Sequence, residues 1–310
     1  MQRIWRIKDL LEWTTRYFFD RGIAESRLEA EILLAQVVQK DRVYLYANYE
    51  EPINAGEREI YREYIKRRIS GEPTAYITGH KEFMSLDFKV TPDVLIPRAD
   101  TEVLVETALA LAQAENLKQI IDVGTGSGAI AVSLGVYLQD ARIFASDVSP
   151  QALAVARENA CNNNVQIHFI EGDLLQPLLS YKDQEVCSQD ICQEVLAGYS
   201  INKATGMQFD MITANLPYIP DSEKIHLDKQ VRDFEPHLAL FAEGDGLELY
   251  RKLLPQAYAL LKPAGIILLE IDPRQAVAVP DMMQGFTDIG IIKDLAGRAR
   301  VVQARRDNHV

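Results

Sequence analysis

From Gln119 onward, short apolar runs alternate with longer helical ones, and this alternation constrains the fold more than any other feature. The runs are Gln119–Val123, Ile130–Leu138, Ile143–Asp147, Pro150–Asn162, Gln166–Ile170, Met211–Ala214, Leu249–Leu261 and Gly265–Ile271. Apolar strands separated by helices imply an α/β fold with a mostly parallel sheet covered on both faces. Two further strands are expected near Ile289–Lys293 and Arg300–Ala304, with only a short polar turn between them. They form an antiparallel pair that closes the sheet.

A chain of 310 residues exceeds the usual single-domain length, so two domains are expected. Residues 7–70 have helical patterns, with Leu10, Leu11, Phe18 and Phe19 near helical spacing. Ser26 to Glu29 has the form of a capping box, opening a segment with Leu28, Ile32, Ala35 and Val38 on one side. Asp41 caps a short helix through Tyr46, and Ile60, Tyr61, Tyr64, Ile65 and Ile69 form another stripe that stops at Gly71. The Tyr and Arg residues of this bundle are assigned to packing and solvated faces. The expected organisation is a helical domain over 1–75, a hairpin connector over 76–97 and an α/β domain over 98–310. In the connector, Ser85–Val90 alternates as a half-exposed strand does, and Pro97–Glu102 then opens a long helix. A polar, aperiodic stretch over 178–208 reads as a loop insertion. Cys187 and Cys192 within it have no His at ligand spacing, so no metal site is expected.

The net charge is −12, and the first 80 residues are neutral with 13 basic and 13 acidic side chains. The excess therefore lies in the α/β part, which disfavours sequence-independent binding to phosphate backbones. No apolar run approaches membrane-spanning length. The opening residues lack the apolar core and cleavage site of a signal peptide, and Cys161, Cys187 and Cys192 are too few for a disulfide framework. A reducing cytoplasmic setting is expected.

The strongest local signal is the run from Ile120 to Ala129, Ile-Ile-Asp-Val-Gly-Thr-Gly-Ser-Gly-Ala. A strand enters Gly124, Thr125, Gly126, Ser127 and Gly128, and a helix follows. Glycines at this spacing suit a tight turn with a ligand against the backbone, at the carboxyl edge where open α/β sheets bind ligands. The spacing differs from Gly-x-Gly-x-x-Gly, and no phosphate-loop lysine is present. Asp147 ends the next strand, 23 residues after Gly124, where a carboxylate can accept both ribose hydroxyls. Asp173 and Leu174, at a third strand end, supply an edge and a wall for an adenine. A nucleoside without phosphates fits this set, and S-adenosylmethionine is the expected cofactor. A nicotinamide dinucleotide site and a glycine turn without ligand are the alternatives.

A second feature lies at Asp210–Pro220, where the run Met211–Ala214 ends at Asn215, Leu216, Pro217 and Tyr218. Pro217 fixes its own φ and holds Leu216 extended, so the strand stops with polar groups pointing outward. The Asn215 side-chain oxygen and the Leu216 carbonyl are two fixed acceptors beside an aromatic ring. They suit a planar NH2 group, whose two hydrogens they accept while the ring stacks on its plane. An ordinary turn-forming exit from a strand is the plainer reading. No general base is evident near the motif; water could take the proton after transfer, and the acceptor is left open.

The glycine turn and its acids resemble the class I S-adenosylmethionine-dependent methyltransferases, with a Rossmann-like, mostly parallel seven-stranded sheet. Asn215 to Tyr218 resembles the Asn/Asp-Pro-Pro-Tyr signature of the amino-methyltransferases. Further stretches narrow the resemblance: Gly71–Gly79, Glu82–Phe83, Leu95–Arg98, Asp100–Glu102, Glu235–Pro236, Ala239–Phe241, Asp245–Leu247 and Asp294–Arg298. Over nearly its whole length the chain is similar to the PrmC/HemK family, the protein-(glutamine-N5) methyltransferases of peptide chain release factors. The resemblance implies transfer of a methyl group to the glutamine amide nitrogen in the Gly-Gly-Gln motif of a release factor. S-adenosylhomocysteine is the implied product, and the implied partner is a protein gripped by the helical domain and connector. A monomer with no direct nucleic-acid or membrane binding is expected. An enzyme acting on the exocyclic amine of a nucleic-acid base stays open, because it would use the same acceptors, as does a catalytically silent binding partner. The chain departs from the family with Leu216 where Pro is usual and with Asp272 where Gly is common.

Overall fold

The computed structural model describes residues 4–180 and 207–308. Most of the stretch expected as a loop insertion, with Cys187 and Cys192, lies outside the described residues. The chain forms two compact units, the first comprising residues 1–80 with Leu227–Phe234 and the second residues 81–226 with 235–310.

The first unit is helical: α1 (Ile7–Phe19), α2 (Ser26–Val38), α3 (Arg42–Ala47), α4 (Ala55–Ser70) and α5 (Thr74–Thr78). Asp41 caps α3 by accepting from the Tyr44 amide at 2.7 Å, and Gly71 ends α4 with φ +107°. The expected capping box at Ser26 does not form, because the Ser26 hydroxyl turns back to donate to the Ile23 carbonyl at 2.5 Å. Glu29 is engaged instead by Arg68 and Thr74. The expected stripe on α2 is also displaced: Ala30, Leu33, Leu34 and Val37 are buried, whereas Leu28, Ile32 and Val38 are only partly so. On α4 the buried apolar residues are Tyr61 and Ile65, while Ile60 and Ile69 are exposed.

The second unit opens with a hairpin of β1 (His80–Phe83) and β2 (Leu86–Lys89), followed by helix α6 (Ala99–Glu115). Strand and helix then alternate: β3 (Gln119–Val123), α7 (Ala129–Tyr137), β4 (Arg142–Asp147), α8 (Pro150–Asn162), β5 (Ile167–Glu171), α9 (Gln176–Ser180) and β6 (Phe209–Ala214). After β6 come the short β7 (Ile219–Pro220), α10 (Lys229–Phe234), which belongs to the first unit, α11 (His237–Leu240) and β8 (Phe241–Ala242). The chain closes with α12 (Glu248–Leu260), β9 (Leu261–Glu270), α13 (Ala278–Asp281), β10 (Phe286–Lys293) and β11 (Ala299–Arg306).

Seven strands form one sheet in the order β10-β11-β9-β6-β3-β4-β5. The pairs from β9 to β5 are parallel, and β11 is antiparallel to both β9 and β10. Successive strand residues point to opposite faces, which divides the core in two. Ile121, Ile212 and Ile267 join one cluster with α12, and their neighbours Ile120, Met211 and Ile266 join another with α6 and α7. Burial on both faces explains why these strands are continuously apolar. No helix among the described residues is long and apolar enough to cross a membrane.

Candidate active site

Strand order fixes where a site can lie. The chain runs outward from β3 to β4 and β5, then returns to β6 on the other side of β3. Such a reversal leaves a crevice beyond the carboxyl ends of the two central strands. Val123 on β3 pairs with Ala214 on β6, so Gly124 and Asn215 leave the sheet side by side. A Cβ placed on Gly124 would lie 2.8 Å from Leu216 Cδ2, and its φ of +71° disfavours any other residue. The glycine turn and the Asn215 corner therefore touch, at one end of the sheet.

The crevice is a cavity of about 590 Å³. Gly124, Thr125, Gly126 and Ser127 line it from the glycine turn, Asp147, Asp173 and Leu174 from the ends of β4 and β5, and Asn215, Leu216 and Pro217 from the end of β6. Two of the expected site residues do not line it. Gly128 faces away, where a Cβ would meet Ala156 at 3.1 Å and Val132 at 3.3 Å, so its role is helix packing. Tyr218 packs against the core cluster on the α12 side, and its ring is not part of the cavity wall.

At the cofactor end, Asp147 organises the turn. Its Oδ2 accepts from the Gly126 amide at 2.8 Å and its Oδ1 from the Ser149 amide at 2.9 Å. A carboxylate has about four lone-pair sites, so both oxygens can still accept from a ligand. Burial pushes its carboxyl above the usual range, against the pull of those amides. Behind it, buried Asp122 accepts from the hydroxyls of Thr125 at 2.6 Å and Thr213 at 3.0 Å, tying the turn to β6. An open backbone at the turn, acids on the two adjacent strand ends and the apolar Leu174 fit the adenosine part of S-adenosylmethionine.

At the acceptor end, Asn215 Nδ2 donates to Thr101 Oγ1 at 3.2 Å, which orients the carboxamide from the first turn of α6. Its Oδ1 is then the atom left for an incoming donor. Pro92, Leu95, Pro97, Pro236, Leu238 and Ala239 give the rest of the cavity an apolar rim. Two loops of this rim are joined by Glu235, which is 4% exposed, pairs with Arg98 and accepts from the Ile96 amide at 3.4 Å. The segment after Tyr218 is held by a parallel β7–β8 pairing. Burial pushes the Tyr218 phenol up to about 12, reinforced by the Glu270 charge, so it stays protonated near neutrality and is no base.

The structure accounts for both departures from the family pattern. Leu216 is 3% exposed and its side chain packs on the glycine turn, so its backbone is fixed by burial rather than by a proline ring. Asp272 caps a short turn by accepting from the Arg274 amide at 2.9 Å, and the Asp272 amide donates to Gln275 Oε1 at 3.1 Å. Gln275 Nε2 then donates to the Gly246 carbonyl at 3.2 Å and the Tyr218 carbonyl at 3.5 Å.

Gly246 has φ +80°, and a Cβ there would sit 2.3 Å from the Tyr218 carbonyl oxygen. Gly246→Ala should therefore destabilise the second unit by roughly 2–4 kcal/mol, from left-handed strain and overpacking against backbone. Urea unfolding would measure it, and a loss under about 0.5 kcal/mol would contradict this close approach.

Thr101 was not singled out from sequence as a site residue. It falls inside the Asp100–Glu102 stretch that carries the resemblance, but a threonine in the first turn of a helix is commonplace and gives no signal of its own.

Comparisons with known proteins agree with this geometry. Residues 9–79 match the family model described as the PrmC N-terminal domain, and residues 99–188 match the methyltransferase small domain. The chain is 38% identical to the release factor glutamine methyltransferase of Geobacter sulfurreducens, over 97% of each chain. It is 41% identical to that of Moorella thermoacetica, over 92% of this chain and 93% of the relative. Among solved structures it resembles the hMettl16 catalytic domain in complex with the MAT2A 3'UTR hairpin 6, with a TM-score of 0.50 and 14% identity over 86% of this chain and 92% of that one, a likeness of fold alone. Near-full-length identity at this level, together with both domain matches, places the chain in the release factor glutamine methyltransferase family.

Proposed function

We propose that this protein transfers a methyl group to the side-chain amide nitrogen, N5, of the glutamine in the Gly-Gly-Gln motif of a peptide chain release factor. The observation that carries the reading is the contact between the glycine turn and the Asn215 corner, at a cavity with an acid-lined end and an apolar rim. When bound at the acid-lined end, S-adenosylmethionine supplies an electrophilic sulfonium methyl.

An amide nitrogen is a poor nucleophile, because its lone pair is delocalised into the carbonyl. The Asn215 Oδ1 and the Leu216 carbonyl accept its two hydrogens and aim the nitrogen. They also favour the positive charge that builds on it, at no cost of reorganisation. Leu216 and Pro217, with the apolar rim, exclude water and hold the aliphatic part of the glutamine. Tyr218 braces the corner through its backbone and its core packing instead of stacking on the amide. The helical unit recognises the rest of the release factor, and the enzyme works as a cytoplasmic monomer.

The test is incubation with labelled S-adenosylmethionine and purified release factor, followed by mass-spectrometric mapping of the modified residue. Label on that glutamine is expected. Label that appears instead on an exocyclic base amine of added RNA or DNA would overturn the reading.

A further inference from the structure

We propose that Asn159 is a positioning residue that bridges the glycine turn and the strand leading into the acceptor-side rim, so that cofactor and protein substrate each tighten the binding of the other. The inference deepens the functional reading above and rests on its placement of S-adenosylmethionine at the turn and of the glutamine segment at the rim.

Asn159 lies on α8 and is fully buried. Its Oδ1 accepts from the Lys89 amide at 2.7 Å, and its Nδ2 donates to the Lys89 carbonyl at 3.0 Å. One carboxamide thus pairs with both main-chain groups of Lys89, as a residue of a neighbouring strand would. The other Nδ2 hydrogen goes to the Ser127 carbonyl at 2.8 Å. Both amino hydrogens are used, and one holds β2 while the other holds the glycine turn. The orientation is determined by the partners. A flipped carboxamide would set its oxygen against two carbonyls and its amino group against the Lys89 N–H.

Both ends of the bridge lead to the cavity. On the cofactor side, Gly126 and Ser127 are part of its wall. A Cβ on Gly128 would lie 3.1 Å from Ala156 Cβ, so α8 approaches the turn closely enough for Asn159 to reach it. On the substrate side, Lys89 ends β2 and buried Val90 follows. The Val94 amide then donates to the Thr91 carbonyl at 3.1 Å, closing a turn that carries Pro92, Val94 and Leu95 into the cavity wall.

A buried carboxamide has no water at hand to replace a lost partner, so a shift of the turn away from Asn159 would leave polar groups unpaired. The turn and β2 are therefore held in one register. A ligand that orders the turn orders the Asn159 side chain and, through it, the Lys89 main chain. Less ordering is then left for a substrate that settles on the rim, and the effect is reciprocal. Two other bonds tie α8 to β2 by themselves. Asn163 Nδ2 donates to the Asp87 carbonyl at 3.2 Å, and Lys89 Nζ pairs with Glu158 at 2.7 Å. They anchor the hairpin, whereas the Asn159 carboxamide also grips the turn.

The experiment measures the affinity of purified release factor by titration calorimetry, with and without saturating S-adenosylhomocysteine. It compares wild type, Asn159→Ala and Asn163→Ala. In wild type the ligand should raise that affinity about 5-fold or more. In Asn159→Ala this factor should vanish. Asn163→Ala loses the bond to Asp87 and should melt at a lower temperature, yet keep the factor; a merely structural role for Asn159 would make the two variants alike. Independently of release factor, S-adenosylhomocysteine should slow hydrogen exchange at the Lys89 amide of wild type by a similar factor. The bridge is overturned if wild type methylates release factor without showing the factor, or if the factor persists in Asn159→Ala. A wild-type Lys89 amide whose exchange ignores the ligand overturns it equally, and that measurement needs no variant, so it decides the matter even where Asn159→Ala does not fold. If wild type leaves release factor unmethylated, the functional reading fails, and exchange at Lys89 still decides whether the bridge transmits.

Discussion

Asn215→Ala should cut turnover on release factor by about 10²-fold or more, since the preorganised acceptor for the reacting nitrogen is lost. Affinity for S-adenosylmethionine should change little. The acids that fit the adenosine are Asp147, which ends β4, and Asp173, which follows β5, whereas Asn215 follows β6 and is held by Thr101 on α6. The Leu216 carbonyl remains in the variant, so one acceptor survives and activity is reduced instead of abolished. Single-turnover rates with labelled cofactor would measure the first effect and titration calorimetry the second. Wild-type turnover in the variant would refute the assigned role.

Asp147→Ala should act on the other end of the cavity, chiefly on cofactor affinity. Two charge-assisted hydrogen bonds to ribose hydroxyls, at about 1.5–3 kcal/mol each, imply a loss of about 10²-fold or more in binding. The variant also releases the Gly126 and Ser149 amides, which the carboxylate holds at 2.8 and 2.9 Å. Part of the loss therefore comes from a loosened glycine turn. Asp147→Asn, which keeps one oxygen, should retain an intermediate affinity. Calorimetric titration with S-adenosylhomocysteine separates these outcomes, and unchanged affinity in Asp147→Ala would remove Asp147 from the site.

These two variants probe residues that are visible in the sequence because their signals are local. An apolar run that stops at Gly-x-Gly-x-Gly or at Asn-x-Pro-Tyr marks a strand end with exposed polar groups, whatever surrounds it. The α/β class was legible for a related reason. Runs such as Ile120–Val123 and Ile266–Leu269 are apolar at every position but Asp122, and only a sheet covered on both faces buries both sides of them.

Periodicity was a poorer guide in the helical unit. Helix α2 contacts α1, α3, α4 and α5, so its burial is spread around the axis and no single stripe identifies the inward face. The Ser26 capping box failed because its hydroxyl turns back to the Ile23 carbonyl and the Glu29 carboxylate is held by Arg68 and Thr74.

By itself, the sequence determined the class of fold, the two strand-end motifs and the family they resemble, since each depends on residues close together in the chain. Tertiary structure alone decided that the two motifs touch, that Gly128 and Tyr218 stand outside the cavity wall, and that Thr101 stands behind Asn215. Thr101 and Asn215 are 114 positions apart. Their meeting follows from the order of strands in the sheet, and no local pattern of residue types encodes that order.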